Sequence, residues 1–461
     1  MTDSARTAPQ RLVLTVAVLA SFIAFLDGTV INVALPAITR ELGGGLTTQQ
    51  WVVDAYLITL GAIILLAGSL SDAFGRKRVL FWGLWGFLVT SVLCAIAPTA
   101  SVLIVARALQ GVAGALLVPS SLALILSAFR GVPQARAIGA WTAWTSTAFL
   151  AGPLLGGLLV DLASWRLVFA INALPIALTL VLLARLPADR APDADARVDV
   201  VGAVLGVLGI GLPVFALIEQ ANYGFGSPVI LVPLIVGVAA FAAFLWHEHR
   251  TSQPMMPLSL FHVRNFWVGN IATTFIYGAL SLGTFVLAVF LQQTGGYSAT
   301  LAGLALLPVT IFNIALSSMF GTLAGRIGPR LFMTVGPIIA GTGFFVLLRI
   351  GDDAAYVSEV LPGVLIFGLG LSITVAPLTS AILGAIDSGR AGIASAVNNA
   401  VSRVAGLVAI ATASLIVGAQ LDVDGLHRAL IATGTLLVLG GLVSALGIRN
   451  PGPAAVGGSG A

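Results

Sequence analysis

Charged residues are scarce in this chain of 461 amino acids. Asp, Glu, Lys and Arg together make up 9% of the sequence, whereas 58% of it is hydrophobic. Soluble proteins carry about 25% charged residues, so a soluble protein of this length could not hide so much apolar surface. The composition therefore excludes an ordinary soluble domain and makes lipid the solvent for much of the chain.

Cysteine and histidine are rare as well. The one cysteine, Cys94, excludes an intramolecular disulfide. Among the four histidines, His247 and His249 stand two residues apart, but no third histidine or cysteine lies near them in the sequence. We therefore expect no metal site.

Long apolar runs dominate what is present. They are continuous and roughly 20 residues long, the length of a helical span, and they lack the short alternation of membrane β-strands. The first run is too long for the core of a signal peptide and is interpreted as a retained span. The sequence predicts an all-α integral membrane protein with about fourteen transmembrane helices. They start near Leu12, Gln49, Val79, Val102, Gln134, Trp165, Val200, Val229, Trp267, Ala299, Leu331, Val360, Ala391 and Leu426.

Basic residues are distributed unevenly between the two sets of loops. Most of the 22 lysines and arginines fall in loops on one side of the predicted spans. Arg40, Arg166, Arg349 and Arg428 fall on the other side. This bias is the positive-inside pattern, so we expect a multi-pass protein of the cell membrane with both termini in the cytoplasm.

Two loops repeat one pattern of glycine, leucine and basic residues. GSLSDAFGRKR begins at Gly68, and GTLAGRIGPR begins at Gly321. Two homologous six-helix halves around a central site form an alternating-access architecture. The predicted domains are an N-terminal six-helix half at 1–185, two inserted helices at 186–264, a C-terminal six-helix half at 265–448 and a flexible tail at 449–461.

Asp27 is the residue that first indicates function. It stands in FLDGTVINVALP, with no other charge between Arg11 and Arg40. An acid inside a span is costly and marks a functional site by default. We interpret Asp27 as a proton-binding carboxylate; the alternatives are a helix-end cap and a packing partner for Arg107.

Two further acids are candidates for proton coupling. Asp54 lies about one turn into the second predicted span, and Glu219 ends the seventh. The alternative for each is a solvated carboxylate at the end of a span.

The first repeated loop has the features of a gate. Gly68 and Gly75 permit close helix approach and a tight turn. Asp72, the only acid of the loop, can pair with a base such as Arg76 or lie at a helix N-terminus. We expect this contact to hold the cytoplasmic helix ends together; the alternative is that the basic residues only anchor the topology.

The fourth predicted span contains a charged residue that the second half lacks. Arg107 lies in an apolar run and must face protein or water, with Gln110 on nearly the same helix face. When Pro377 of the second half is aligned with Pro119 of the first, Leu365 occupies the position that corresponds to Arg107. A six-helix half therefore does not need this charge for its fold, which favours a role in proton coupling.

The fifth predicted span and a set of aromatic residues complete the candidate site. In AGPLLGG, Gly152, Pro153, Gly156 and Gly157 leave a smooth, bendable helix face, although small residues at this spacing are also ordinary packing sites. Aromatic faces suit flat or cationic drugs. The candidate cavity residues are Phe25, Gln110, Trp141, Trp144, Phe149 and Tyr277.

Four of these segments form a recognisable series. LDGTVINVALP, GSLSDAFGRKR, RALQGVAGA and AGPLLGG occur in this order. Together they resemble the signature motifs of the drug:proton antiporters of the major facilitator superfamily, in its fourteen-span branch of quaternary-ammonium and methylenomycin exporters. The resemblance covers nearly the whole chain. It implies that Asp27 is the proton-site acid, Asp72 the gating-loop acid and Arg107 the fourth-helix arginine.

The resemblance predicts proton-coupled efflux of a hydrophobic or monocationic drug, antibiotic or toxic metabolite by alternating access. Exporters of divalent cations in this branch carry extra acids in their second half. Such acids are absent from the predicted spans after Trp267, which favours a monocationic, zwitterionic or neutral amphipathic substrate. Proton-coupled uptake of a nutrient or organic anion in the same fold is the alternative.

A membrane enzyme or sensor is the third class of function. No GxSxG, HExxH, P-loop or paired-carboxylate motif occurs in the sequence, so we expect no enzyme. We expect no cofactor, with the proton gradient as the energy source. The expected partners are a small-molecule substrate, protons and the lipid bilayer, without nucleic acid, and the expected state is a monomer.

Overall fold

The fold is built from helices. The computed structural model describes residues 8–187, 198–252, 254–387, 390–418 and 421–450. Within these residues every regular element is a helix, as the sequence predicted.

Nineteen α-helices follow one another in the described part of the chain. The first eleven are α1 (Ala8–Val30), α2 (Leu35–Leu42), α3 (Gly45–Ile63), α4 (Leu66–Phe74), α5 (Arg76–Ala95), α6 (Ala100–Ala128), α7 (Gly131–Leu162), α8 (Leu167–Ala170), α9 (Ala173–Ala184), α10 (Val200–Tyr223) and α11 (Pro228–Arg250). The others are α12 (Arg264–Gln293), α13 (Ala299–Ala305), α14 (Leu307–Ile327), α15 (Arg330–Val346), α16 (Leu361–Leu383), α17 (Ala391–Ala411), α18 (Ala413–Val417) and α19 (Val423–Gly447). Short 3₁₀ or π turns lie at Ile31–Val33, Leu258–His262, Leu347–Arg349 and Tyr356–Val360.

Twelve helical segments of the described chain are long and apolar enough to cross a membrane. Two of the fourteen predicted spans, those that coincide with α3 and α7, are not among the twelve. In α3 the reason is visible, because Gln49, Gln50 and Asp54 add polar groups to an otherwise apolar helix. The chain is thus a multi-pass membrane protein, and the count of fourteen stays a prediction.

The chain divides into two compact units. Unit 1 comprises Met1–Met255 and Tyr297–Leu304, and unit 2 comprises Met256–Gly296 and Ala305–Ala461. The inserted helices α10 and α11 therefore belong to the same unit as the first six predicted spans. The finer domain boundaries expected from the sequence stay a prediction.

The helices of each unit pack in the same pattern. In unit 1, α1 packs on α6, α7 and α9, while α6 also packs on α3 and α5. In unit 2, α12 packs on α16, α17 and α19, while α16 also packs on α14 and α15. The six spans of each unit correspond in order, so the repeat visible in the two loops extends to the packing of the helices.

The repeated loops share one backbone feature. Gly75 ends α4 with φ +92°, and Gly328 ends α14 with φ +95°. Only glycine adopts this region without steric cost, because it has no Cβ atom. Arg76 directly after Gly75 starts α5, and Arg330 two residues after Gly328 starts α15, so each glycine allows the chain to turn sharply between two spans.

The inserted hairpin is held together by small residues. A Cβ atom at Gly209 of α10 would lie 2.9 Å from the Phe241 backbone of α11, and Gly237 of α11 contacts Pro213 of α10. The two helices therefore approach closely. On its other side α10 packs on α3, the helix that carries Asp54.

Candidate functional site

Asp27 and Arg107 form a buried ion pair inside unit 1. Asp27 lies near the end of α1 and Arg107 in the first half of α6, and Arg107 Nη1 donates to Asp27 Oδ2 over 2.7 Å. The two side chains are only 1% exposed. The structure thus brings together the two charges that the sequence placed in separate spans.

The second carboxylate oxygen of Asp27 is also bound. Gln110 Nε2 donates to Asp27 Oδ1 over 3.1 Å, and Asn172 Nδ2 donates to the same oxygen over 2.9 Å. Gln110 also donates to Ser91 Oγ over 2.9 Å. A buried charge is tolerated when it is paired and hydrogen-bonded, and this cluster meets that condition for an ionised Asp27.

Arg107 connects Asp27 to the neighbouring helices. Its Nε donates to the Val52 carbonyl of α3 over 3.0 Å, and its Nη1 donates to Gln110 Oε1 over 2.7 Å. The guanidinium carbon lies 4.3 Å from the centroid of the Tyr56 ring. Arg107 therefore ties α1, α3 and α6 together at one buried point.

Sequence reasoning missed two members of this cluster, Ser91 and Asn172. Both are buried, on α5 and at the start of α9. Each is a single uncharged polar residue in an apolar run, and this signal also fits helix caps and ordinary span packing. Only the tertiary contact with Asp27 separates them from other such residues.

Asp54 is isolated from the Asp27 cluster. It is fully buried, and neither of its carboxylate oxygens accepts a hydrogen bond from the part of the chain that the structure describes. On an α-helix, residues two apart point to nearly opposite sides, so Asp54 lies away from the side on which Val52 and Tyr56 meet Arg107. The interpretation of Asp54 as a solvated span end is therefore wrong.

Glu219 is held in place at the end of α10. Trp51 Nε1 of α3 donates to Glu219 Oε1 over 2.7 Å, and Asn222 Nδ2 donates to Glu219 Oε2 over 2.8 Å. The carboxylate is half-buried. Glu219 thus bridges the inserted hairpin and α3 rather than standing free at the end of a span.

The predicted gating loop is visible in part. The surroundings of Gly68, Asp72 and Phe149 lie outside the described part of the structure, so their predicted roles stay predictions. Gly75 has the positive φ described above, and Arg76 starts α5. The loop thus turns sharply at Gly75, and its role as a gate stays a prediction.

The glycines of the fifth predicted span make close contacts. Gly152 and Gly156 approach α1, where a Cβ atom at Gly156 would lie 2.7 Å from a backbone carbonyl oxygen. Gly157 approaches the first turn of α13, where a Cβ atom would lie 2.5 Å from a Cα atom. Pro153 lies inside α7 without ending it. This face is therefore a helix-packing surface in the present structure.

The predicted cavity residues have different surroundings. Gln110 belongs to the Asp27 cluster, where its side-chain amide binds buried neighbours, and its role in a cavity stays a prediction. Trp141 Nε1 donates to a serine hydroxyl of α1 over 3.0 Å. Trp144 is 63% exposed, while Phe25 and Tyr277 are half-buried. A substrate role for these aromatic residues stays a prediction.

Six spans of one unit repeat six spans of the other, and buried charges lie among the apolar helices of unit 1. This combination is typical of a secondary membrane transporter. Residues 17–410 match the family model of the Major Facilitator Superfamily. The chain belongs to the major facilitator superfamily, and it is a transporter and not an enzyme. In the described residues no group of three or more His, Cys, Asp or Glu side chains could hold a metal ion.

Curated relatives and solved structures agree with this assignment. The chain is 36% identical over 411 residues to the methylenomycin A resistance protein of Bacillus subtilis, covering 88% of this chain and 87% of the relative. It is 35% identical over 421 residues to the multidrug resistance protein Stp of Mycobacterium tuberculosis, covering 90% and 77%. The fold is similar to a crystal structure of the peptide transporter POT in complex with sulfate, with a TM-score of 0.72, 16% identity, and coverage of 96% and 95%.

Proposed function

We propose that this transporter couples proton movement to the export of a hydrophobic or monocationic drug, antibiotic or toxic metabolite by alternating access. The relatives named for methylenomycin A resistance and multidrug resistance support export over uptake. The observation that carries proton coupling is Asp54, an acid buried without a hydrogen-bond donor among the described residues. Uptake of a nutrient or organic anion is the second candidate.

Asp54 is better placed than Asp27 to exchange a proton. An ionised carboxylate without a partner is very costly in an apolar site, so Asp54 holds a proton in this conformation and releases it when water or a cation reaches it. Protonation of Asp27 instead breaks a buried ion pair, at a cost of about 3–5 kcal/mol. One proton that moves down about 100 mV and about one pH unit supplies about 3.7 kcal/mol. The cost of breaking the pair is therefore comparable to the whole driving force that one proton supplies.

Asp27 and Arg107 fit the role of a positioning pair. Arg107 binds the backbone carbonyl of Val52, which is two residues from Asp54 on the same helix. A shift of α3 that accompanies proton release at Asp54 therefore changes the geometry around Arg107. In this scheme the ion pair links the proton-carrying helix to α1 and α6, and the proton itself travels on Asp54.

The proposal has a defined membrane setting. The positive-inside pattern supports a location in the cell membrane with both termini in the cytoplasm. The protein would act as a monomer without a cofactor, and the proton gradient would supply the energy. The described spans of unit 2 carry acids only in first turns, Glu359 and Asp424, and this supports a monocationic, zwitterionic or neutral amphipathic substrate.

Transport in everted membrane vesicles tests the proposal. An imposed pH gradient should drive uptake of the exported compound into these vesicles, and adding that compound should release protons from them. A panel of amphipathic antibiotics, monocationic dyes and organic anions would be scored by proton release. Release with antibiotics or dyes supports export, whereas activity confined to organic anions moving in the opposite direction supports the uptake alternative.

Asp54→Asn tests the proton site in the same vesicles. The substitution keeps the size and polarity of the side chain but removes the titrating group, so uphill transport should be lost while substrate binding is retained. Asp353→Asn, which removes an exposed carboxylate outside the spans, is the matched control. Uphill, gradient-driven transport by Asp54→Asn at the wild-type rate would eliminate Asp54 as the proton carrier and return Asp27 to that role.

A further inference from the structure

The inserted helix α10 packs on α3 through one stripe of residues. At the middle of α10, a Cβ atom at Gly211 would lie 3.3 Å from Ile58 Cγ2 of α3. About one turn further along α10, the Phe215 ring lies 5.9 Å from the Trp51 ring. Beyond it, Glu219 accepts the indole N–H of Trp51 over 2.7 Å. Gly211, Phe215 and Glu219 are spaced four residues apart, so they share one face of α10.

Asp54 lies on the side of α3 that this stripe covers. Trp51, Asp54 and Ile58 are spaced three and four residues apart, which places them on one helix face. Trp51 and Ile58 both contact α10. Along the axis of α3, Asp54 therefore lies between two contacts with the inserted hairpin. The opposite face of α3, which carries Tyr56, meets α6.

The charges around this interface are few. On α3, Asp54 is the only charged residue, and Tyr56 faces the other way. The titratable groups of α11 lie in its last turns, at the far end of the hairpin from Glu219. The other titratable or charged groups on the described helices packed against α3 or α10 are Arg40 and Glu41 on α2, Asp72 on α4, whose side chain lies outside the described residues, Arg107 on α6, Tyr223 on α10, and His247, Glu248, His249 and Arg250 on α11. Of these, Glu41 is engaged by Arg166 and Trp165, and Arg107 by Asp27.

We propose that the inserted helix α10 forms part of the proton site. Glu219, held in place by Trp51, acts there as a positioning residue whose negative charge attracts protons to Asp54. The inference rests on the proposed function, because it assumes that Asp54 carries the proton. A negative charge nearby disfavours a second ionised carboxylate and raises the local proton concentration. The indole N–H only holds Glu219 in place, since it cannot itself pass on a proton, and the proton reaches Asp54 through water.

The separation of the two carboxyl groups sets the size of the effect. Trp51 and Asp54 are about 4.5 Å apart along the helix axis, and Glu219 lies beyond the indole ring, so the carboxyl groups are roughly 10 Å apart. At an effective dielectric constant of about 20, a unit charge at this distance shifts a proton equilibrium by about one pH unit. Removal of the Glu219 charge should therefore be visible in a pH profile.

Transport by purified protein in proteoliposomes tests the inference. The pH on the proton-loading side is varied while the other side is held constant. Glu219→Gln should move the midpoint of the rate toward acid by about one pH unit, so that acidification recovers the lost rate. Glu219→Asp should restore the wild-type profile in part. Trp51→Phe, which keeps an aromatic ring against Phe215 but removes the tether, should move the midpoint in the same direction by less.

Glu41→Gln is a matched control for the loss of charge. Glu41 also accepts an indole N–H, from Trp165 over 2.6 Å, but it lies on α2 and does not belong to the stripe. Its removal should leave the midpoint in place. An unchanged midpoint in Glu219→Gln, or an equal shift in Glu41→Gln, would overturn the role of α10.

A comparison with Asp54→Asn shows whether the proposed proton site fails or only the inference about Glu219. If Asp54→Asn abolishes uphill transport and Glu219→Gln leaves the midpoint unchanged, only the inference about the hairpin fails. If Asp54→Asn still transports uphill, the proposed proton site fails, and the inference about Glu219 fails with it.

Discussion

The ion pair between Asp27 and Arg107 permits a quantitative prediction. Asp27→Asn leaves Arg107 as a buried cation with no carboxylate opposite it, and Arg107→Met leaves Asp27 as a buried anion bound only by Gln110 and Asn172. The double variant leaves neither charge. The three variants, together with the wild type, form a double-mutant cycle in which only the interaction of the pair is non-additive.

The structure sets the order of the expected stabilities. Removal of one partner of a buried pair costs about 3–5 kcal/mol, because the remaining charge stays uncompensated, whereas replacement of both partners by uncharged groups is often nearly neutral. Each single variant of Asp27 or Arg107 should therefore be less stable than the double variant. The Val52 carbonyl also loses its donor in both variants that lack Arg107, which adds about 1–3 kcal/mol.

Thermal unfolding in detergent, followed by tryptophan fluorescence, measures this order. The double variant should melt above the Arg107→Met variant, although it carries one substitution more. Transport should stay low in all three variants, because a restored fold does not restore the link between α3 and α1. If the double variant melts at the sum of the two single losses, the two charges do not interact, and the account of the cluster is wrong.

Three further predictions concern other parts of unit 1. Asp72→Asn should insert normally but transport more slowly, and full transport would leave only topology anchoring for its loop. Gly156→Leu should lower the melting temperature, because its side chain would enter α1; Gly139→Leu, where a Cβ atom meets no neighbour within 4 Å, should not. Hydrogen bonds from Trp165 and Arg166 lower the pKa of Glu41 below 4.5. Their stabilising effect is present above pH 4.5 and lost below it, so wild type and Glu41→Gln should differ in melting temperature at pH 7 and converge as the pH falls below 4.5.

The sequence identified several residues through their cost in lipid. Asp27 and Arg107 could be selected without a structure, because a charge in an apolar run must face protein or water. The glycine of each repeated loop could be selected as well, because a sharp turn between two spans requires a backbone that only glycine adopts freely. These inferences depend on local chemistry, which the sequence contains in full.

The role of each acid needed the tertiary structure. Asp27 and Asp54 are both single acids in apolar helices, and nothing in their sequence neighbourhoods shows which one has a partner. Arg107 is 80 residues from Asp27 along the chain, and Asn172 is still further away. Partners at such distances are fixed only when the helices pack.

The chain by itself thus determined a helical membrane protein with an internal repeat and a short set of costly residues. Apolar run length, arginine placement and glycine turns are local properties, and lipid imposes them on the sequence directly. Only the tertiary structure decided that Asp27 is fully bound, that Asp54 is buried without a donor among the described residues, and that α10 lies against α3. The charge state of a buried carboxyl group depends on which donors surround it, and packing, not sequence proximity, supplies those donors.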